Sequence, residues 1–569
     1  MNLLPQVKNL EITGKKVEIK AIKPFEGAID YRLYKQISAL PISQDGLELS
    51  LEILDKTTEG YQLKITQDKV MIVADSTAGA FYALQTLKQC FKNENLQTLT
   101  ITDYPDFSYR GVYHDVTRGK VPTVDTLKNF IDTLAYYKIN SLQLYVEHTY
   151  EFEQVKDIKE EKGYLTALEL QEIDQYCKDN FIEFIPSIAT FGHMFEILQT
   201  PQFQHLRVLK DYKLGANEWK ERMQHHTIDP TNPQSIEVVK SLVDQYYPNF
   251  TSEFFNICGD ETFDLHGYVD KDGNAVNEKD LYVPFINKII EHVKSRGKRV
   301  MMWADILLKY PETINLVPSD TMFLNWEYAP NPNELKVKTF KEFNRDQIVC
   351  PGTWSWNRLI ENFDDGESNI KTLIEYGYKY GAKGVLNTNW GDWGNPCSIE
   401  LALYGLTLGA EKSWSATTEN NQDYYDRVNS VVYGSENAVS YIKRVSKLNG
   451  IADWVCFCEA YSNVKANNGQ KIYTVSKEQL EQVQKEYLEL NEQIQGDLAL
   501  RNDVKNELLI ALEGICVIAE LSAKLGKIDL ERLTDTNSWL DKYKKAWLNK
   551  NKPSELCRIV KMFEYVEAL

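Results

Sequence analysis

Long apolar runs are missing from this 569-residue sequence. Nowhere do about 18 apolar residues follow one another, so no membrane-spanning helix is predicted. Cysteine is scarce and unpatterned. The nine cysteines are an odd number, with no Cys-x-x-Cys pair and no His/Cys cluster at zinc spacing. Free thiols are predicted rather than a disulfide framework or a zinc site, and Cys456 and Cys458 sit too close for an ordinary bridge. The adjacent His225 and His226 are badly spaced to share one metal and read as loop. Positive charge is short as well. The 64 Lys and Arg face 82 Asp and Glu, a net charge of −18, which argues against nucleic acid or an anionic membrane as partner. Met1-Asn2-Leu3-Leu4-Pro5-Gln6 lacks the apolar core of a signal peptide. The expectation is a cytoplasmic chain, or an exported or periplasmic one whose leader has been removed.

Length and aromatic residues are what the chain has in quantity. Its length calls for about two to four domains. The 11 Trp and 33 Tyr offer flat apolar faces with a polar handle, which suit sugar rings and large cores alike. Residues 1–105 alternate short strand-like runs (17–19, 47–53, 61–65 and 70–73) with one helix, Ser76 to Leu87, and read as a small α+β domain. From Tyr109 the pattern turns to strand then helix, repeated eight times. Strands are expected at 109–114, 141–146, 184–188, 254–257, 300–302, 322–325, 348–352 and 384–388. Residues 106–415 are therefore predicted to form a (β/α)8 barrel. Residues 416–569 carry long amphipathic helices, including 478–496 and 506–525, and read as a helical domain, a candidate lid, packing element or dimer surface.

The barrel is organised around Phe254-Phe255-Asn256-Ile257-Cys258-Gly259-Asp260-Glu261. A short apolar strand meets a glycine and then the only Asp-Glu dipeptide in the chain. Neighbours within a strand point to opposite faces, so both carboxylates serve one site only where the strand ends. The C-terminal ends of barrel strands are where such folds keep their chemistry. The other predicted strand ends carry matching groups. They are Asp115 and Arg118, Glu147 and His148, Phe191-Gly192-His193, Trp303 and Asp305, Trp326-Glu327, Trp354 and Trp356, and Trp390, Asp392 and Trp393. Paired carboxylates beside a Trp-lined pocket suit glycoside chemistry.

These motifs in this order, Arg110-Gly111-Val112-Tyr113-His114-Asp115-Val116-Thr117-Arg118, Tyr137-Lys138-Ile139-Asn140 and Gly259-Asp260-Glu261, resemble glycoside hydrolase family 20, the β-N-acetylhexosaminidases. The likeness runs from about residue 107 to 415. The N-terminal helix, Gly79-Ala80-Phe81-Tyr82-Ala83-Leu84-Gln85-Thr86-Leu87, resembles that of the family's usual first domain.

The resemblance implies retaining, substrate-assisted hydrolysis of terminal β-linked GlcNAc or GalNAc through an oxazolinium ion. Glu261 is then the general acid and base, and Asp260 holds the acetamido group. Arg118 and Asp392 match residues that bind sugar hydroxyls, Trp303, Trp326 and Trp390 match the walls of the acetamido pocket, and His193 matches the histidine supporting the acid. No cofactor and no metal are implied. Two departures point to a divergent bacterial-type branch. The acid expected after strand two gives way to Glu147-His148, and the strand-seven tyrosine to Trp354-Ser355-Trp356-Asn357. They leave open a same-scaffold enzyme for a substituted GlcNAc or a disaccharide unit. A non-catalytic glycan-binding protein is the other alternative. The absence of Asp-x-x-Asp-x-Asp-x-Glu speaks against a chitinase-type barrel.

Overall fold

The structure is a computed structural model. It describes the chain except residues 18, 93–95, 157, 159–162, 214, 216–217, 224–225, 418–420, 467–473 and 529–530, so His225 lies outside the described residues. The N-terminal sheet consists of β1 (Asn9–Lys16), β2 (Glu48–Ile53), β3 (Tyr61–Ile65), β4 (Lys69–Ala74) and β5 (Gln97–Asp103), in the order β1-β5-β3-β4-β2. The first strand lies upstream of the expected run at 17–19. It is an exposed edge strand whose Glu and Lys residues gave no apolar signal. The helix Thr77–Phe91 covers the sheet, with Ser76 capping it by accepting from Gly79 N.

The eight barrel strands are β6 (Tyr109–Asp115), β7 (Ser141–Tyr145), β8 (Glu183–Ile185), β9 (Phe254–Asn256), β10 (Arg299–Trp303), β11 (Met322–Trp326), β12 (Gln347–Cys350) and β13 (Gly384–Asn389). All neighbours pair in parallel, and a bridge between Ser187 and Asn256 closes the ring. Strands covered on both faces read as short apolar runs, which is why the pattern located all eight. Helices fill the crossovers. Pro233–Tyr246 starts as expected, with Asn232 capping and Pro233 in the first turn.

Two motif residues join domains rather than serve the barrel mouth. Lys138 Nζ lies 2.9 Å from Asp103 Oδ2, with both side chains fully covered, and Trp414 Nε1 donates to Asp103 Oδ1 over 2.9 Å. Removing either partner of such a buried pair costs about 3–5 kcal/mol. Arg110, also fully covered, pairs with Glu59 at 2.6 Å. The helical region from Asn421 to Ala568 folds back on the barrel rim. Lys552 N donates to Val121 O over 2.8 Å, Lys552 Nζ pairs with Glu169 at 2.8 Å, and Ser554 Oγ donates to Gly119 O. Among the described residues no helix is long and apolar enough to cross a membrane.

Candidate active site

The end of β9 turns through three left-handed residues. Cys258, Gly259 and Glu261 have φ of 54°, 83° and 49°. Strand alternation is thereby broken, and consecutive carboxylates reach one place. A Cβ on Gly259 would lie 2.8 Å from Ile286 Cδ1, so packing and backbone both require glycine. Tyr282 fixes the turn by donating to Gly259 O over 2.8 Å. Asp305, at the end of β10, accepts from Glu261 N over 3.0 Å. Burial, with Asp260 and Glu261 close by, pushes the Asp305 carboxyl up to about 8.

His193 joins the pair. Its Nε2 is 3.2 Å from Asp260 Oδ2 and 3.3 Å from Glu261 Oε2. Burial opposes a charge on the ring, but Asp260 and Glu261 outweigh it and hold the imidazole well above its ordinary value. Asp260 is buried, and its Oδ1 has no hydrogen-bond partner among the described residues. Glu147 Oε1 stands 3.9 Å from His193 Nδ1, an ion-pair separation too long for a hydrogen bond, and accepts from Tyr145 OH over 2.8 Å. Glu147 thus faces His193, whereas His148 belongs to a second cluster with Glu196 and Glu555.

Arg118 is almost fully covered. Its Nε donates to Asp115 Oδ2 over 2.7 Å, its Nη1 pairs with Asp392, and its guanidinium lies 5.0 and 4.8 Å from the ring centres of Tyr145 and Trp390. Asp115 Oδ2 also accepts from Gly391 N over 3.0 Å, tying the β6 loop to the loop that carries Asp392. Burial lifts the Asp392 carboxyl to about 6, the charges of Asp115 and Glu261 adding to the effect and Arg118 opposing it.

The aromatic residues divide. Trp390 meets Tyr113, Tyr145 and Trp303 at centroid distances of 5.0, 5.1 and 5.8 Å. Trp303 has no exposed surface and packs into this cluster against Tyr113 and Trp390. Trp326 stacks on Tyr328 at 5.1 Å, and Tyr328 OH accepts from Trp390 Nε1 over 2.7 Å. Tyr328 also touches Trp356 at 5.2 Å, so it connects the predicted wall residues. The sequence reading missed it. The available signal was its position two residues past Trp326, on the same side of an extended segment.

The same arrangement of domains recurs in known proteins. Residues 107–356 match the catalytic-domain model of glycosyl hydrolase family 20, and residues 4–104 match the family's domain 2. A beta-hexosaminidase of Porphyromonas gingivalis is 27% identical over 359 residues, 56% of this chain and 43% of that protein. A lacto-N-biosidase of Bifidobacterium bifidum is 23% identical over 374 residues, 62% of this chain and 30% of that protein. The chain thus spans less than half the length of either relative. Among solved structures, the chitobiase of Flavobacterium johnsoniae aligns over 95% of this chain and 96% of its own, with a TM-score of 0.62 at 18% identity. The exo β-N-acetylglucosaminidase of Vibrio harveyi aligns over 75% of this chain and 76% of its own, with a TM-score of 0.58 at 18% identity. Those structures share the fold, and the matched models account for both the N-terminal sheet domain and most of the barrel. The chain belongs to glycosyl hydrolase family 20.

Proposed function

We propose that the protein is a retaining exo-β-N-acetylhexosaminidase that uses its substrate's acetamido group as nucleophile. The observation that carries this reading is Asp260 Oδ1, a buried acceptor with no hydrogen-bond partner among the described residues, beside Glu261 and His193. A buried carboxylate oxygen needs a donor, and a 2-acetamido N–H supplies one. Held there, the acetamido carbonyl oxygen attacks the anomeric carbon. The glycosidic C–O bond breaks, and the leaving oxygen takes its proton from Glu261. The oxazolinium cation that forms is stabilised by the charge of Asp260. Water then attacks the same carbon from the vacated face and gives a proton to Glu261. The bond to the acetamido oxygen breaks, and the two inversions retain configuration.

His193, as a cation, balances the charge of Asp260 and leaves Glu261 to carry the transferable proton. Arg118 and Asp392 grip hydroxyls at the non-reducing end, and the aromatic cage around Trp390 and Trp326 packs the acetamido group into its attacking pose. Tyr328 takes the place of the strand-seven tyrosine. The test is the rate of nitrophenol release from the aryl β-glycoside of GlcNAc. Turnover of about 1 per second or more is expected. Equal turnover of the aryl β-glucoside, which lacks the acetamido group, would overturn the mechanism.

A further inference from the structure

The second buried cluster lies near Arg118 and the loop that carries Asp392. Glu555, from the helical region, is 1% exposed. Its Oε1 is 2.5 Å from Arg222 Nη2, and its Oε2 accepts from Trp219 Nε1 over 2.8 Å. Arg558 adds a contact at 3.3 Å. Arg222, itself 2% exposed, pairs also with Glu196 at 2.6 Å. The cluster therefore pins one short helix, Glu218–Arg222, to residues more than three hundred positions away.

That helix backs the two residues assigned to grip the sugar. Met223 Sδ lies 3.9 Å from Arg118 Nη1, the atom that pairs with Asp392. The Trp219 ring sits against Gly394, two residues past Asp392, so closely that a Cβ there would be 2.7 Å from Cζ2. Trp454, also of the helical region, lies 6.5 Å from Trp219 and donates to Trp393 O over 2.8 Å. Arg118 and the loop that carries Asp392 are thus backed by a wall that the helical region holds in place.

We propose that Glu555 and Met223 are positioning and specificity-determining residues. Through Arg222 and Trp219, Glu555 keeps the wall closed, so that the site takes one terminal sugar and refuses a disaccharide unit. This rests on the hexosaminidase reading and commits it to release of single sugars.

The test uses the full chain and two variants. Met223→Ala leaves the ion cluster whole, and Glu555→Gln keeps the size and the acceptor for Trp219 while removing the charge. Each is expected to raise KM for the aryl GlcNAc glycoside about tenfold, with kcat nearly unchanged, because binding alone is loosened. Met223→Ala is also expected to open activity on an aryl glycoside whose GlcNAc bears a further sugar. A structural role alone would lower the active fraction and hence kcat, leaving KM in place. An unchanged KM in Met223→Ala overturns the proposal, as does wild-type cleavage of the extended glycoside at the rate of the simple one. Should Glu555→Gln fail to fold, Met223→Ala decides. A wild-type chain inactive on the simple glycoside would instead count against the underlying reading. Calorimetric titration with GlcNAc then tests the wall by itself, a tenfold loss of affinity in Met223→Ala supporting it and equal affinity overturning it.

Discussion

His193 Nε2 stands 3.3 Å from Glu261 Oε2, and the same nitrogen is 3.2 Å from Asp260. One imidazole therefore serves both carboxylates, and its proton is shared property of the site. Burial works against that proton, but the two acids hold His193 well above 6.5. A raised histidine stabilises the fold fully below its unfolded value, and the benefit is lost as pH climbs through the folded one. The melting temperature of wild type minus that of His193→Asn is thus expected to be constant below about pH 6.5 and to shrink above it. Activity of the variant should fall by about 10²-fold or more. A melting difference that grows with pH would show that the ring is neutral.

The acid pair should separate by leaving group. Glu261→Gln is expected to lose about 10²–10⁴-fold on natural glycans, which need a proton, and far less on activated aryl glycosides. Asp260→Asn should slow both kinds of substrate by about 10²–10³-fold, since it removes charge facing the cation formed in either case. Steady-state rates on matched substrates check this, and full activity of Glu261→Gln on a natural glycan would reassign the acid.

Asp305 gives a pH signature of the same sense, in a window that begins lower. Its carboxyl is lifted from 3.8 to about 8, first by burial and then by Asp260 and Glu261. The native chain holds that proton more tightly than the unfolded one, so stability declines as pH rises across this window. Asp305→Asn still offers an acceptor to Glu261 N and escapes the loss. Its melting temperature is expected to gain on wild type between pH 5 and pH 8, measured at fixed salt, and a constant gap would refute the shift.

Tyr328 is open to a single-atom test. Tyr328→Phe keeps the ring between Trp326 and Trp356 but removes the acceptor for Trp390 Nε1. An indole N–H left unpaired in a covered place costs about 1–3 kcal/mol. Loss of stability in denaturant titration is expected, together with a higher KM for the GlcNAc glycoside. A KM that does not move would leave Tyr328 as packing only.

What the sequence revealed follows from the range of each interaction. The barrel strands were legible because burial on both faces makes apolar runs. The edge strand Asn9–Lys16 and the threonine-rich Gln97–Asp103 were not, having no such face or only an alternating one. The pair Asp260-Glu261 announced itself as a dipeptide after a strand and a glycine. The partner of His193 did not, because Glu147 and His148 are equally near in sequence and only the direction of their side chains separates them. Trp303 matched a motif, yet its full burial, which no motif encodes, is set only by the complete fold. Glu555 had no local signal at all, since its partners Arg222 and Trp219 are brought to it only by the complete fold.

The last barrel strand ends at Asn389, but Lys552, Ser554 and Glu555 fasten the loops around its rim. During translation, every barrel strand is therefore made long before the fastening emerges. A nascent chain halted short of residue 552 carries both Asp260 and Glu261 and leaves the buried Arg222 short of one of its two counter-charges. Such half-assembled intermediates expose surface that invites chaperones. The integrity of the barrel mouth in this chain is tied to residues made well after its last barrel strand.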